Sequence, residues 1–175
     1  MAEARVKAEA VVLADGRSAC IRPMRAQDRA MYMDAVAGLS ERSRYLRFAA
    51  PGARISDRLV DAMMALDGDR HLAFAALTLD ERAVTAVARF VRPPGDARSA
   101  EVAIAVADAW QHAGLGAVLL QRLIGRARAT DLERLTAVTL SENRAAADLA
   151  RAVGFARVRT AGLYAEFELP LAAAS

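Results

Sequence analysis

Apolar positions along the chain fall into blocks with two different periods. Residues 1–12 read as a loose lead-in, which sets the expected division at a lead-in over 1–13 and a domain over 14–175. A turn at Asp15-Gly16 precedes a short apolar stretch, Ser18 to Ile21, that stops at Pro23 and predicts a strand. Met31, Ala35 and Leu39 then recur at helical spacing, with Asp28 as the expected cap or first residue and Gly38 and Ser40 as breakers. A second short helix is expected over Ser40 to Phe48, capped by Ser40, and a third over Asp57 to Leu66, with Leu59, Met63 and Leu66 on one face.

The period then changes. His71 to Leu79, Ala83 to Val91 and Arg98 to Ala107 read as strands joined by turns at Asp80-Glu81 and Pro93-Pro94-Gly95-Asp96, an antiparallel meander. The Gly114-Leu115-Gly116 loop opens an amphipathic helix to about Ala129, with Leu115, Val118, Leu119, Leu123, Ile124 and Ala127 inward. A strand over Glu133 to Leu140, a helix over Glu142 to Val153 and strands near Phe155 to Arg159 and Leu163 to Leu169 complete the chain. The order β-α-α-α-β-β-β-α-β-α-β-β predicts a mixed α/β single domain with helices covering the sheet.

Composition narrows this picture modestly. The 175 residues fit one domain that needs no disulfide or metal staple. The hydrophobic fraction is 55%, but 43 residues are alanine, so large side chains must mark the core. The single cysteine, Cys20, excludes an internal disulfide and a cysteine-based metal site and reads as a small buried strand residue; no metal is expected. Met1 to Ala10 lacks the apolar core of a secretory signal, and no run of 18 apolar residues occurs, so a cytoplasmic protein without a membrane span is expected. A net charge of +3 suits an anionic ligand. The arginines are too scattered for a nucleic-acid stripe, so no nucleic-acid partner is expected. Only Lys7 is lysine against 23 arginines, which reads as codon bias.

The chemistry concentrates between Glu101 and Ala117. An apolar strand runs into Asp108-Ala109-Trp110-Gln111-His112-Ala113-Gly114-Leu115-Gly116-Ala117 and then into a helix. Free N–H groups at a helix N-terminus, uncovered because Ala113, Gly114, Gly116 and Ala117 are small, form an anion site sized for a pyrophosphate. A packing loop is the competing reading. The segment lacks the Gly-Lys-Ser/Thr ending of a nucleoside-triphosphate loop, and the preceding meander argues against a dinucleotide-binding fold.

The run Gln111-x-x-Gly114-x-Gly116-Ala117, preceded by the strand Ala100 to Val106 and followed by Glu142-Asn143-Arg144 and Gly154-Phe155, resembles the GNAT N-acetyltransferase superfamily. The resemblance extends from Ala14 to Leu169. Leu39 to Phe48 and Asp67 to Ala73 are similar to the acetyltransferase domain of bacterial protein-lysine acetyltransferases, which are often fused to a regulatory domain. The resemblance implies a GNAT-like single domain whose mostly antiparallel central sheet is flanked by helices. It implies acetyl-CoA as cosubstrate, with the pyrophosphate on the amides of Gln111, His112, Ala113, Gly114, Leu115, Gly116 and Ala117. Pantetheine would lie along the strand end at Val106 and Ala107, and Asn143 occupies a position that commonly faces the cofactor. A protein lysine is the favoured acceptor on the branch resemblance. A small amine or amino acid, and a non-catalytic acyl-CoA-binding module, stay open.

On strand 98–107 the two-residue period places Ser99, Glu101, Ala103, Ala105 and Ala107 on one face, so a single carboxylate stands on a surface of small residues. Such an acid suits removal of a proton from an ammonium, and the resemblance implies a general base at Glu101. The alternative is a structural pair: a hairpin centred near Gly95 sets Arg89 opposite Glu101, which would weaken it as a base. The tyrosine that protonates the leaving thiolate in many GNAT enzymes is replaced by Ala150, so the acid has no assigned residue; solvent and, less well, Ser141 are the candidates, and Ser141 also reads as a helix cap. His71 reads as a packed or edge residue, His112 as an exposed loop residue near the phosphate site and Trp110 as a core plug under the loop. The cluster Arg42, Arg44 and Arg47 around Tyr45 is a candidate for steering an acidic CoA or substrate, but these residues share no single helix face, so at least part of it is expected to be solvated surface.

Overall fold

The computed structural model describes residues 8–50 and 55–171. Eight strands form one sheet: β1 (Glu9–Val12), β2 (Ser18–Pro23), β3 (His71–Leu77), β4 (Val84–Val91), β5 (Ser99–Val106), β6 (Arg134–Leu140), β7 (Ala156–Ala161) and β8 (Tyr164–Pro170). Their spatial order is β1-β2-β3-β4-β5-β6-β8-β7. Every neighbouring pair is antiparallel except β5 and β6. Among the described residues five α-helices cover the sheet: α1 (Arg29–Ala37), α2 (Glu41–Phe48), α3 (Asp57–Met64), α4 (Leu115–Arg128) and α5 (Arg144–Ala152). The mixed α/β architecture with a mostly antiparallel sheet is as expected.

The sheet is buried on both faces because its central strands are mostly apolar, with His71, Thr85 and Arg89 as buried exceptions. β3 is buried throughout, as is β4 up to Phe90. On one face, Leu119, Leu123 and Ala127 of α4 pack fully buried against Phe74, Ala88 and Phe90. Each such leucine stabilises the fold by about 1.5–3 kcal/mol relative to exposure. On the other face, Tyr32 and Val36 of α1 and Val60 of α3 close over Ala73, Ala75, Leu77 and Val87. Alanine is abundant in these central strands, so the helices approach the sheet closely. No helix among the described residues is long and apolar enough to cross a membrane.

Three local readings are corrected. Residues 9–12, expected in a loose lead-in, form the edge strand β1 paired with β2; the alternation of Glu9-Ala10-Val11-Val12 is too short to stand out against an alanine-rich background. Asp28 does not cap α1 with its side chain. It is buried and grips Arg22 through two hydrogen bonds of 2.7 and 3.0 Å, so a polar residue at a helix start is spent on an internal ion pair. The cap of α5 is Asn143, whose Oδ1 accepts from the Ala146 N–H at 3.1 Å, and not Ser141; the helix accordingly starts at Arg144. Ser40 does cap α2, accepting from the Ser43 N–H.

Candidate active site

The site is opened by a divergence of two strands. β5 and β6 run parallel and pair only over Ser99–Arg134, Ala100–Leu135 and Glu101–Thr136. Beyond that point they splay, and a cavity of about 370 Å³ opens between Val102–Val106 on one side and Ala137–Thr139 on the other. Parallel strands with unpaired inner edges leave backbone groups free to meet a ligand. The cavity is roofed by Leu39, Ser43, Leu46 and Arg47, one face of α2 and its lead-in, and floored by Ala146, Leu149 and Ala150 of α5.

One end of the cavity is the N-terminus of α4. Gly114 is its cap residue, at φ +82° in the left-handed region that favours glycine, and His112 stands at φ +61°. This alternation turns successive N–H groups outward. Among the described residues, no backbone or side-chain acceptor takes the N–H groups of His112 through Ala117. A 14-residue helix whose first N–H groups are free concentrates positive potential there, which suits an anion. At Gly116 a Cβ would stand 3.0 Å from Leu149 Cδ2, so the glycine also lets α4 approach α5.

Gln111 braces this loop. Its amide donates to the Val106 carbonyl at 3.1 Å and to Ser43 Oγ at 3.2 Å. Asp108 completes the brace by accepting from the Ser40 N–H, the Ser40 hydroxyl and the Ser43 hydroxyl at 2.9, 2.8 and 2.6 Å. Partial burial alone would raise the Asp108 carboxyl, but the hydrogen bonds from Ser43 and Ser40 outweigh it and hold the group below its usual range. The N-terminus of α2 is thereby fixed against the loop that starts α4. Trp110 packs against the core as expected and also lines the cavity, with the Arg17 guanidinium 4.6 Å from its ring centre.

Of the residues singled out by sequence, Val106, Gln111, His112, Gly114, Leu115, Gly116, Ala117 and Asn143 come together around the cavity. Ala107 and Ala113 do not line it. The Ala107 N–H is taken by the Thr85 carbonyl, and Ala113 is buried in the core with its carbonyl accepting from Ala14. Glu101 stands exposed at the neck where β5 and β6 part. The expected cross-strand pair is corrected: Arg89 faces Ala103, and Val91 faces Glu101, because the hairpin is centred one residue later than Gly95. Arg89 is instead buried, donating to the Met63 carbonyl at 2.5 Å and lying 5.1 Å from the centre of the Tyr32 ring.

Sequence reasoning offered the α2 arginines as steering charges but missed that one face of α2 walls the cavity. Leu39, Ser43, Leu46 and Arg47 recur at helical spacing, a signal that was present but masked by the arginines around them. Arg42 lies on the outer side and pairs with Glu142 at 3.2 Å, while Arg47 turns toward the cavity. Ala150 lines the cavity and supplies no proton, and Ser43 and Thr139 are the hydroxyl-bearing residues of its lining.

A splayed strand pair beside a helix start with free N–H groups leaves room for an elongated ligand with an anionic end. The chain belongs to the GNAT acetyltransferase family: the model described as "Acetyltransferase (GNAT) family" matches residues 38–155. It is 33% identical over 145 residues to Acetyltransferase PA5475 of Pseudomonas aeruginosa, covering 82% of this chain and 77% of that one. Its structure is similar to the GNAT domain of S. lividans PAT, with a TM-score of 0.85, 27% identity, and 94% and 97% of the two chains covered. It shares the fold of yncA from Salmonella typhimurium, solved with its cofactor acetyl-CoA, at a TM-score of 0.64 and 22% identity over 86% of this chain and 92% of that one.

Proposed function

We propose that this enzyme transfers an acetyl group from acetyl-CoA to a primary amine, with Glu101 as general base. The observation that carries the reading is the cavity between the splayed β5 and β6, closed at one end by the free N–H groups of His112 through Ala117. Those groups suit the pyrophosphate of CoA, and the apolar channel past Val106 suits a flexible pantetheine arm. Asn143 caps α5 through its oxygen, so its NH₂ group is left to donate into the cavity.

The chemistry is short. An amine is an ammonium near neutral pH and must lose a proton before its nitrogen lone pair can attack the thioester carbonyl. Glu101 takes that proton directly or through water. The new C–N bond forms, the nitrogen releases its second proton to water, the C–S bond breaks and the thiolate departs. Its proton comes from solvent, since Ala150 stands where a tyrosine would donate it and a thiol of pKa about 8.5 is a good leaving group.

A protein lysine is the favoured acceptor on the resemblance of Leu39–Phe48 and Asp67–Ala73 to bacterial protein-lysine acetyltransferase domains. A cytoplasmic setting fits the same reading, because the single cysteine, Cys20, has no second cysteine to pair with. Calorimetric titration with acetyl-CoA tests the donor: saturable heat is expected, and its absence overturns the reading. Thiol release over an acceptor panel then separates an enzyme from a binding module.

A further inference from the structure

The cavity passes through the sheet. Ala103 and Ala105 of its lining stand on the side of β5 that α2 roofs, whereas Val102 and Ile104 point the other way, into the core that α4 and α5 complete. On that second side the cavity borders core residues themselves. Phe167 is 1% exposed, Phe155 and Leu120 are 4% exposed and Ala150 is 9% exposed, yet all four line it. A core side chain that borders open space lacks packing partners on that side, so this part of the cavity is a notch in the hydrophobic core.

The notch lies at the closed end of the split. Val102 and Ala137 are the first residues past the last paired rung, Glu101–Thr136, and Phe167 is the partner of Ala137 on β8. These three form one row across the sheet, and all of them line the cavity. From α5, Ala146, Leu149 and Ala150 turn one helix face toward the same space. The polar side chains of the described lining stand elsewhere: on α2, in the loop before α4, and at Thr139 and Asn143 toward the open end of the split. The notch is therefore apolar where it is deepest, and such a space favours an alkyl group over water.

A thioester anchored by its phosphates at the start of α4 brings its acyl end to this notch, because the reaction takes place near Glu101. From Val106 to Glu101 the strand runs about 17 Å. Ala150 sets how much room is left there: a large side chain at this position would occupy space that a methyl group leaves open.

We infer that the notch is an acyl pocket with room for chains longer than acetyl, so that propionyl-CoA and butyryl-CoA also serve as donors. The inference rests on the acetyl-transfer reading and widens its donor from acetyl to short straight-chain acyl groups. The chemistry is the same for each. The ammonium gives one proton to Glu101 and a second to water, its nitrogen bonds to the acyl carbonyl carbon, and the C–S bond breaks with its electron pair on sulfur. Water returns a proton to the thiolate, so the products are the amide and free CoA. Each methylene that enters an apolar pocket strengthens binding about fourfold.

Calorimetric titration of the intact protein with four CoA esters tests this without an acceptor. Propionyl-CoA is expected to bind about fourfold more tightly than acetyl-CoA; equal or weaker binding overturns the pocket. Butyryl-CoA and succinyl-CoA carry chains of equal length, and the second ends in a carboxylate that the notch cannot pair. Butyryl-CoA is expected to bind at least tenfold more tightly than succinyl-CoA, and equal binding of the two overturns the placement of the acyl end. Saturable binding of none of the esters overturns the transfer reading itself, whereas binding of acetyl-CoA without the gain for propionyl-CoA overturns only the pocket. A150L narrows the notch with a residue of high helix propensity. It is expected to lower the ratio of propionyl-CoA to acetyl-CoA affinity at least tenfold, and an unchanged ratio in the folded variant overturns the assignment of Ala150. Where A150L does not fold, the four esters on wild type decide the pocket. Once an acceptor is in hand, thiol release gives the same comparison in kcat/KM: propionyl-CoA is expected to match or exceed acetyl-CoA, and a preference for acetyl-CoA of a hundredfold or more overturns its role as a donor.

Discussion

Val91 lies directly opposite Glu101 across the β4–β5 ladder, and Thr136 is the partner of Glu101 on β6. The carboxylate therefore emerges between an apolar neighbour and a hydroxyl, at the last paired rung before the strands part. Among the described residues it forms no ion pair, and it is exposed to solvent and acceptor alike. Replacing it with an isosteric amide removes the proton acceptor and little else. E101Q is expected to lower kcat by about 10²–10⁴-fold, while acetyl-CoA affinity, set by the loop at the far end of the cavity, stays within a few fold of wild type. Thiol release and calorimetry read the two quantities. Equal turnover in E101Q and wild type removes Glu101 as the base.

The lack of a proton donor at Ala150 has a kinetic signature. A bell-shaped rate profile reports both an essential base and an essential acid. With alanine lining the cavity at this position, the falling limb has no residue to produce it. The kcat profile is expected to show no falling limb up to about pH 9.5, where tyrosines begin to ionise near their ordinary pKa of about 10. A well-defined fall between pH 8 and 9.5 with the protein still folded would assign an acid elsewhere in the cavity, with Thr139 and Ser43 too weakly acidic to supply it.

The fold was largely legible because its signals are local. The apolar runs of β3 to β5, the helical period in α4 and the glycines at 114 and 116 each lie within a few residues of one another. What escaped depends on distant pairing. A one-residue change in the centre of the β4–β5 hairpin shifts the register by two, and with it moves Arg89 from Glu101 to Ala103. No local pattern records that choice, which is set by Asp96 accepting from the Arg98 and Ser99 N–H groups and the Ser99 hydroxyl. Asp28 was misread for a related reason: its partner Arg22 comes from β2, and Glu81 of the β3–β4 turn shares that arginine. In the site, the phosphate loop was readable from small residues in sequence, whereas the α2 wall becomes a wall only once Asp108 ties Ser40 and Ser43 to the loop before α4.

That tie makes a prediction about binding through a residue outside the cavity lining. Asp108 accepts three hydrogen bonds from the start of α2, and Gln111 adds a fourth contact through Ser43. Hydrogen bonds to a charged group contribute about 1.5–3 kcal/mol when sheltered, and this carboxylate is only partly sheltered. D108A is expected to cost about 1–2 kcal/mol of stability and to loosen α2 over the cavity, weakening acetyl-CoA binding while leaving the sheet intact. Hydrogen exchange should show faster exchange in α2 than in α4. Unchanged exchange in α2 would mean that packing of Leu39 and Leu46 alone holds it.

The buried Arg22–Asp28 pair predicts both the size and the pH dependence of a stability loss. Asp28 is 1% exposed and accepts from Arg22 twice and from the Arg25 N–H at 2.8 Å. Burial pulls its carboxyl upward, but the hydrogen bonds from Arg22 and Arg25 prevail and its pKa is lowered from the ordinary carboxylate value. A carboxyl that is more acidic in the folded state than in the unfolded chain binds fewer protons when folded. Its contribution is therefore fully present above the unfolded value of about 3.9 and is lost as pH falls further. D28N leaves Arg22 buried with only Glu81, itself half in solvent, to balance it. Removing one partner of a buried pair costs about 3–5 kcal/mol, read as a lower urea midpoint at unchanged slope. Wild type should lose stability steeply below pH 4, and D28N should lose less over the same interval, so that the two converge in acid. A constant gap down to pH 2 would show that the cost of D28N is packing and not charge.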